Sequence, residues 1–188
     1  AGTNRYATAV AIADQLGSPS TLLLATGSDF RAGLIAGAAA QAADEGTGGG
    51  AVLLTDGNAL PAETSAYLAA HGSAAQYTIG SAAAAAVPGA TAITGADDAE
   101  LSRNVAQRFF AGAASVALAS SAAFPDALSG GAHAAAFGAP LLLTSPTTLP
   151  ASVANYLTGA KADIVIAFVY GGTAAVSESV RTAVATAI

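Results

Sequence analysis

Asp126, Ser129 and His133 stand at i, i+3 and i+7, so a helix through them would carry an acid, a hydroxyl and an imidazole on one face. That is the inventory of a hydrolase triad. A single helix strings such groups along its axis and does not wrap the histidine between acid and nucleophile. No strand-to-helix G-x-S-x-G turn accompanies them. Asp126 itself lies in Phe124-Pro125-Asp126-Ala127-Leu128, after an apolar run and at the opening of a helix. Ligands of open α/β sheets gather at such places, although a carboxylate there also simply favours the helix dipole. Gly171-Gly172-Thr173 occupies a second strand-to-helix turn whose N–H groups could face an anion. It lacks the Walker lysine and the G-x-G-x-x-G spacing. Asp97, Asp98 and Glu100 suit either a hard cation or a solvated helix start. Arg5 and Tyr6 sit together at another helix start, a guanidinium fork beside a stacking ring, which fits a sugar or an acidic polymer. The same pair could equally pack over a neighbouring strand. His71 and His133 have no ligand-like spacing and read as surface or capping residues, and no metal or cofactor is expected.

The elements that must position these groups occur twice. Val52-Leu53-Leu54-Thr55, Leu60-Pro61 and Tyr67-Leu68 return as Leu141-Leu142-Leu143-Thr144, Leu149-Pro150 and Tyr156-Leu157, always 89 positions on. Leu22 to Thr26 and Phe30 return as Val116 to Ser120 and Phe124, and Tyr77 to Gly80 as Phe168 to Gly171. The excess in the first copy falls on Asp44 to Gly50, a glycine-rich segment expected to be a surface loop. Ala90 to Ile93 aligns with Ala185 to Ile188, so the chain is expected to hold two whole units, 1–93 and 94–188.

Within a unit, short apolar runs alternate with alanine-rich helical stretches. The second copy predicts helix 98–110, strand 115–120, helix 124–137, strand 140–144, helix 150–159, strand 164–170 and helix 174–185. Uniformly apolar strands imply parallel sheets covered on both faces. The expected fold is therefore α/β: two tandem three-layer units, Rossmann-like or Toprim-like, each a mostly parallel sheet flanked by helices.

Composition narrows the partners. Only 10% of the 188 residues are charged and the net charge is −6. The six basic residues are scattered, with no basic stripe for nucleic acid. No apolar run is long enough to span a membrane. There is no cysteine, which excludes disulfides and thiolate metal sites. A neutral, hydroxyl-rich surface suits a secreted or envelope protein. The absence of methionine and of a leader at Ala1 suggests a processed product or a fragment.

Gly2-Thr3-Asn4-Arg5-Tyr6-Ala7-Thr8-Ala9 resembles the G-x-x-R-Y-x-T-A opening of the cell wall-binding type 2 repeat. Phe124-Pro125-Asp126-Ala127-Leu128 is similar to that family's F-P-D-A-L, Ala139-Pro140-Leu141-Leu142-Leu143-Thr144 to its A-P-I-L-L-T, and Tyr170-Gly171-Gly172 with Val176-Ser177 to its closing segment. The resemblance implies a non-catalytic module that anchors secreted proteins to Gram-positive cell walls or S-layers, holding an anionic or glycan wall polymer non-covalently. Carried over by position, it marks Arg5, Tyr6, Thr8, Asp126, Pro140, Leu141, Leu142, Gly171 and Gly172 as ligand-site candidates. It also implies repeats in threes, so a further repeat unit or a homo-oligomer is an expected partner.

Each copy keeps the half of the motif set that the other has lost: Arg5-Tyr6 in the first, Phe124-Pro125-Asp126 in the second. One expectation is thus a groove between units shared by Arg5 and Asp126. The competing expectations are a structural or oligomerisation module with a lapsed ligand site, and an α/β enzyme, for which the residues offer no convincing set.

Overall fold

Leu22, Leu23, Leu24 and Ala25 are all fully buried, and a strand whose alternate side chains point to opposite faces buries such a run only inside a sheet covered on both sides. The computed structural model, which describes residues 2–17, 19–43, 49–122 and 124–188, builds two such sheets. The chain runs α1 (Arg5–Gln15), β1 (Thr21–Thr26), α2 (Phe30–Ala40), β2 (Ala51–Thr55), α3 (Ala62–Ala70), β3 (Ala75–Ile79), α4 (Ser81–Ala86) and β4 (Thr91–Ile93). It continues with α5 (Asp98–Phe109), β5 (Ser115–Ser120), α6 (Phe124–Ala136), β6 (Leu141–Thr144), α7 (Ala151–Ala160), β7 (Ile166–Val169) and α8 (Glu178–Ala187). Every pairing among these strands is parallel, in the orders β2-β1-β3-β4 and β6-β5-β7. The repeat is visible in register: Leu24 pairs with Leu53 as Leu118 pairs with Leu142. No helix among the described residues is long and apolar enough to cross a membrane.

The interior divides by strand face. Leu22, Leu24, Leu53, Tyr67 and Leu68 form a cluster on the outer side of the first sheet. Val116, Leu118, Leu142, Leu157 and Val180 do the same for the second. The opposite faces meet in one shared cluster, where Leu23, Ala25, Ile35 and Ile79 join Val105, Ala117, Leu141 and Leu143. The two units are thus halves of one core. Helix α2 packs against α6, its own counterpart in the repeat, with the Phe30 and Phe124 rings 5.9 Å apart. Small residues allow this approach: a Cβ on Gly131 would stand 3.7 Å from the Leu34 carbonyl oxygen. The abundance of alanine and glycine is therefore largely a demand of helix-on-helix packing.

Two expectations are corrected. The helix expected over 174–185 runs Glu178–Ala187. Ala175 and Val176 donate to the Gly172 carbonyl in a turn, and Ser177 donates its N–H to Pro146 in an extended conformation, which delays the helix start. The equivalence of Ala185–Ile188 with Ala90–Ile93 also fails in three dimensions. Pro88-Gly89 ends α4 and lets Thr91–Ile93 pair with β3, whereas nothing breaks α8 before Ala187. Of the glycine-rich excess, residues 44–48 lie outside the described residues.

Candidate functional site at the junction of the two units

In each sheet the chain leaves the central strand to one side and returns on the other, so the carboxyl ends of β1 and β3 flank a topological switch point. A cleft of about 340 Å³ opens there. Thr26, Ser28, Asp29 and Arg31 line it from β1 and α2, Gly80 and Ser81 from the end of β3, and Gly95 to Asp98 from the start of the second unit. A second hollow of about 400 Å³ adjoins it, lined by Arg5, Gly27, Phe30, Leu34 and Leu54. Both share Thr26, Ser28 and Asp29, so together they form one track across the top of the first sheet.

Arg5 and Tyr6 are brought together at one end of that track. A Cβ on Gly27 would lie 3.1 Å from Arg5 Cδ and 3.2 Å from Tyr6 Cε1, so glycine is what lets both side chains lie flat over the β1–α2 turn. Arg5 donates from Nη1 to the Gly27 carbonyl. Lost hydration first, and the neighbouring Asp56 carboxylate second, push the Tyr6 phenol above its ordinary value. Asn4 caps α1 by accepting from the Ala7 N–H at 2.8 Å and donates to Glu63 at 2.8 Å, a bond that holds the Glu63 carboxyl below its usual range. Thr8 faces inward to this cap: its hydroxyl donates to the Asn4 carbonyl at 2.8 Å and accepts from the Gly2 N–H at 3.1 Å. The opening motif is thus partly a device for starting α1.

The second unit repeats that device with different chemistry. Asp97 accepts from the Glu100 N–H at 2.8 Å, and Glu100 reaches back to the Ala96 N–H at 2.8 Å, a reciprocal cap. Asp98 instead turns to the first unit, where Arg31 Nε lies 3.1 Å from its Oδ2. Arg31 also pairs with Asp29 at 2.8 Å and donates to the Ser121 carbonyl at 2.9 Å. Burial raises the Asp98 carboxyl above its ordinary value, and Arg31 pulls it part of the way back. This charged bridge between units was absent from the sequence reading. Its signal was present: opposite charges, Arg31 and Asp98, at positions where the aligned copies carry Pro125 and Arg5.

The remaining candidates fall in two places. Asp126 and Gly171 meet at the equivalent end of the second sheet, where a Cβ on Gly171 would be 2.5 Å from Asp126 Oδ2. Arg181 holds the Gly171 carbonyl at 2.6 Å, and Gly172 is exposed beside it. Pro140, Leu141 and Leu142 lie in the interior, where the leucine side chains pack the core and do not reach a surface ligand. No hydrogen bond or ion pair joins Arg5 to Asp126 among the described residues, and Asp126 does not line the hollow over Arg5. Nor do Asp126, Ser129 and His133 form a relay. Ser129 donates back to the Pro125 carbonyl at 3.2 Å, and His133 Nδ1 is bonded to the Tyr170 hydroxyl at 2.6 Å. His71 closes the end of α3, bonded to the Tyr67 carbonyl at 2.9 Å and stacked on its ring.

Similarity to known proteins agrees with this architecture. Cwp6 from Clostridium difficile superposes with a TM-score of 0.85 at 22% identity, over 99% of this chain and 31% of that one. Cwp8 from Clostridium difficile superposes with a TM-score of 0.79 at 20% identity, over 99% of this chain and 33% of that one. The chain therefore spans about a third of the length of these neighbours, and at such identities the likeness is one of fold. No curated protein matches the sequence. A model of the family described as Cell wall binding domain 2 matches twice in tandem, over residues 1–86 and 92–181. With both halves matched and the paired parallel sheets in place, the chain belongs to the cell wall binding domain 2 family.

Proposed function

We propose that this chain is a non-catalytic anchoring module that holds its parent protein at a Gram-positive cell surface by gripping a hydroxyl-rich wall glycan non-covalently. The observation that carries the reading is the continuous track from Arg5, with Tyr6 beside it over Gly27, past Ser28 and Asp29, to Ser81 and Asp98. It offers a ring for stacking, hydroxyls, and carboxylates that accept from sugar hydroxyls. Electrostatics chooses between the two kinds of polymer. The switch-point cleft sets Asp29, Asp97 and Asp98 against Arg31 alone, and the whole chain carries a net charge of −6. A polyanion would meet a repulsive field there, whereas a neutral glycan would not.

Retention of the chain on purified walls tests this. Binding through hydrogen bonds and stacking is expected to persist from low salt to about 0.5 M, where the Debye length has fallen to roughly 4 Å. Tyr6→Ala is expected to weaken retention on the order of tenfold, the value of one aromatic contact. A steep loss of the parent chain with salt would instead point to a polyanion, and no retention at any salt would end the anchoring reading.

A second reading concerns the assembly: a further repeat unit packs against the open side of the second unit. What supports it is the apolar surface left bare around the edge strand β7, where Val165 is 78% and Ile166 46% exposed and the exposed Phe137 packs on Phe168.

A further inference from the structure

Strand β4 is an open edge of the first sheet. It stands last in the order β2-β1-β3-β4, with β3 as its one neighbour. Gly80 donates its N–H to the Ile93 carbonyl at 2.8 Å, and Ile93 is in register with Ile79, so Thr91 and Ile93 turn their backbone groups inward to β3. Ala92 and Thr94 alternate with them and turn theirs outward. Asn104 Nδ2 already donates to the Thr94 carbonyl at 2.6 Å. The Ala92 N–H and carbonyl face the side where the sheet has no further strand, and Ala92 is exposed.

A hollow of about 440 Å³ runs along this edge. Thr91 to Thr94 form one wall, and Asn104, Gln107 and Arg108 of α5 form the other. Four strand residues span roughly 10 Å, the reach of a short extended segment. The walls offer hydroxyls, amides and a guanidinium, and no carboxylate lines them. In a chain with 12 acidic and 6 basic residues, such a lining runs against the overall charge.

Arg108 is exposed and makes no ion pair among the described residues. It is nonetheless held in place. It donates to the Tyr77 hydroxyl and lies over the Tyr77 and Phe109 rings, 4.9 Å and 5.4 Å from their centroids. A guanidinium fixed by neutral partners keeps its charge and its remaining donors for a ligand. The fold itself does not ask for this set. Ala11, Asp14 and Gln15 of α1 stand where Asn104, Gln107 and Arg108 stand on α5. The second sheet has no counterpart of β4 among the described residues. What the repeat builds twice serves the architecture; an open strand edge beside an uncompensated guanidinium is built once.

We infer that this edge accepts an extended acidic peptide segment, which exchanges backbone hydrogen bonds with Ala92 and sets a carboxylate against Arg108. A uronic-acid glycan could meet Arg108 but lacks the regularly spaced N–H and C=O groups that an edge strand pairs with. A second copy joined edge to edge across a twofold axis would bring two Arg108 guanidiniums into one groove, which opposes that pairing. Glycan binding along the track neither requires nor precludes the peptide.

The test titrates the 188-residue chain with a terminally blocked hexapeptide of alternating threonine and glutamate, with its glutamine counterpart, and with oligogalacturonate, following backbone amide shifts. The glutamate peptide is expected to shift Ala92, Thr94, Asn104 and Arg108 and to bind about tenfold more tightly than the glutamine peptide, roughly the worth of one charge-assisted hydrogen bond. Arg108→Gln is expected to reduce that preference to within about twofold. Ala92→Pro removes the outward N–H at an edge position, where proline is tolerated, and is expected to weaken both peptides alike, by about fivefold. Should that variant not fold, slowed hydrogen exchange of the Ala92 amide in the peptide-bound parent chain reads the same bond. Equal binding of the two peptides, or no shift along β4 at millimolar peptide, would overturn the proposal. So would oligogalacturonate moving the same amides as strongly, which would make the hollow a site for sugar acids. A folded Ala92→Pro protein that binds as the parent does, or unslowed exchange at Ala92, would overturn the strand addition.

Discussion

Gly95→Ala is expected to lower the unfolding free energy by about 3 kcal/mol or more and to abolish wall retention at temperatures where the parent chain binds. A Cβ at this position would stand 2.3 Å from the Leu101 N and 2.8 Å from the Glu100 carbonyl carbon. Both are backbone atoms of the first turn of α5, so no side-chain rotation relieves the clash. The chain must swing out where it enters the helix. That movement opens the reciprocal cap between Asp97, Glu100 and Ala96 and carries Asp97 and Asp98 away from the cleft they line. Gly89→Ala is the control. Nothing lies within 4 Å of its added methyl group, and a change within about 0.5 kcal/mol is expected there. Denaturant titration of both variants reads the difference, and a Gly95→Ala protein as stable as the control would contradict the geometry given for this turn.

Arg31→Ala is expected to cost about 2 kcal/mol near neutral pH, with a deficit that shrinks on acidification. Removing the guanidinium leaves Asp29 and Asp98 facing each other and the Ser121 carbonyl without its donor. Arg31 is 31% exposed, so solvent screens part of the pair and the estimate stays below that for a fully buried bridge. The pH dependence follows from Asp98. Burial holds its carboxyl above the ordinary 3.8, and Arg31 is what opposes that rise. A group raised on folding contributes stability that is fully present below its unfolded value and is lost as pH rises through its folded value. Without Arg31 the folded value climbs further, so the variant regains ground as pH falls from neutrality through the raised value towards 3.8. Unfolding curves of both proteins between pH 3 and 7 measure this, and a deficit independent of pH would show that Arg31 acts by packing alone.

The framework of the fold was legible because its signals are local. Uninterrupted runs such as Leu22–Leu23–Leu24 and Leu141–Leu142–Leu143 can be buried on both faces only in covered parallel sheets. Pro61 and Pro150 mark the starts of α3 and α7. The ends of the units were less legible because alanine and threonine carry little preference of their own. Thr91–Ile93 is a strand because Pro88-Gly89 stops the helix before it, while Ala185–Ala187 continues one. Motif positions were a weaker guide to the site than to the core. Leu141 and Leu142 serve packing, and Thr8 completes a helix cap. Arg5 lines the track and Tyr6 lies beside it over Gly27, but the Arg31–Asp98 bridge, Ser28 and Ser81 were missed. Placing those residues together requires knowing how one unit sits on the next, which no spacing along the chain encodes. The exchange of charge between aligned copies was the available clue, and it belongs to an interface shared by two units.

Whether a wall glycan lies along the track over the first sheet can be read from backbone amide shifts of the chain on titration with solubilised wall glycan. The shifted residues are expected to cluster at Tyr6, Gly27, Ser28, Asp29, Gly80, Ser81 and Asp98, with the outer faces of α3 and α7 unmoved. Shifts confined to those outer faces, or none at saturating glycan, would contradict that placement of the glycan.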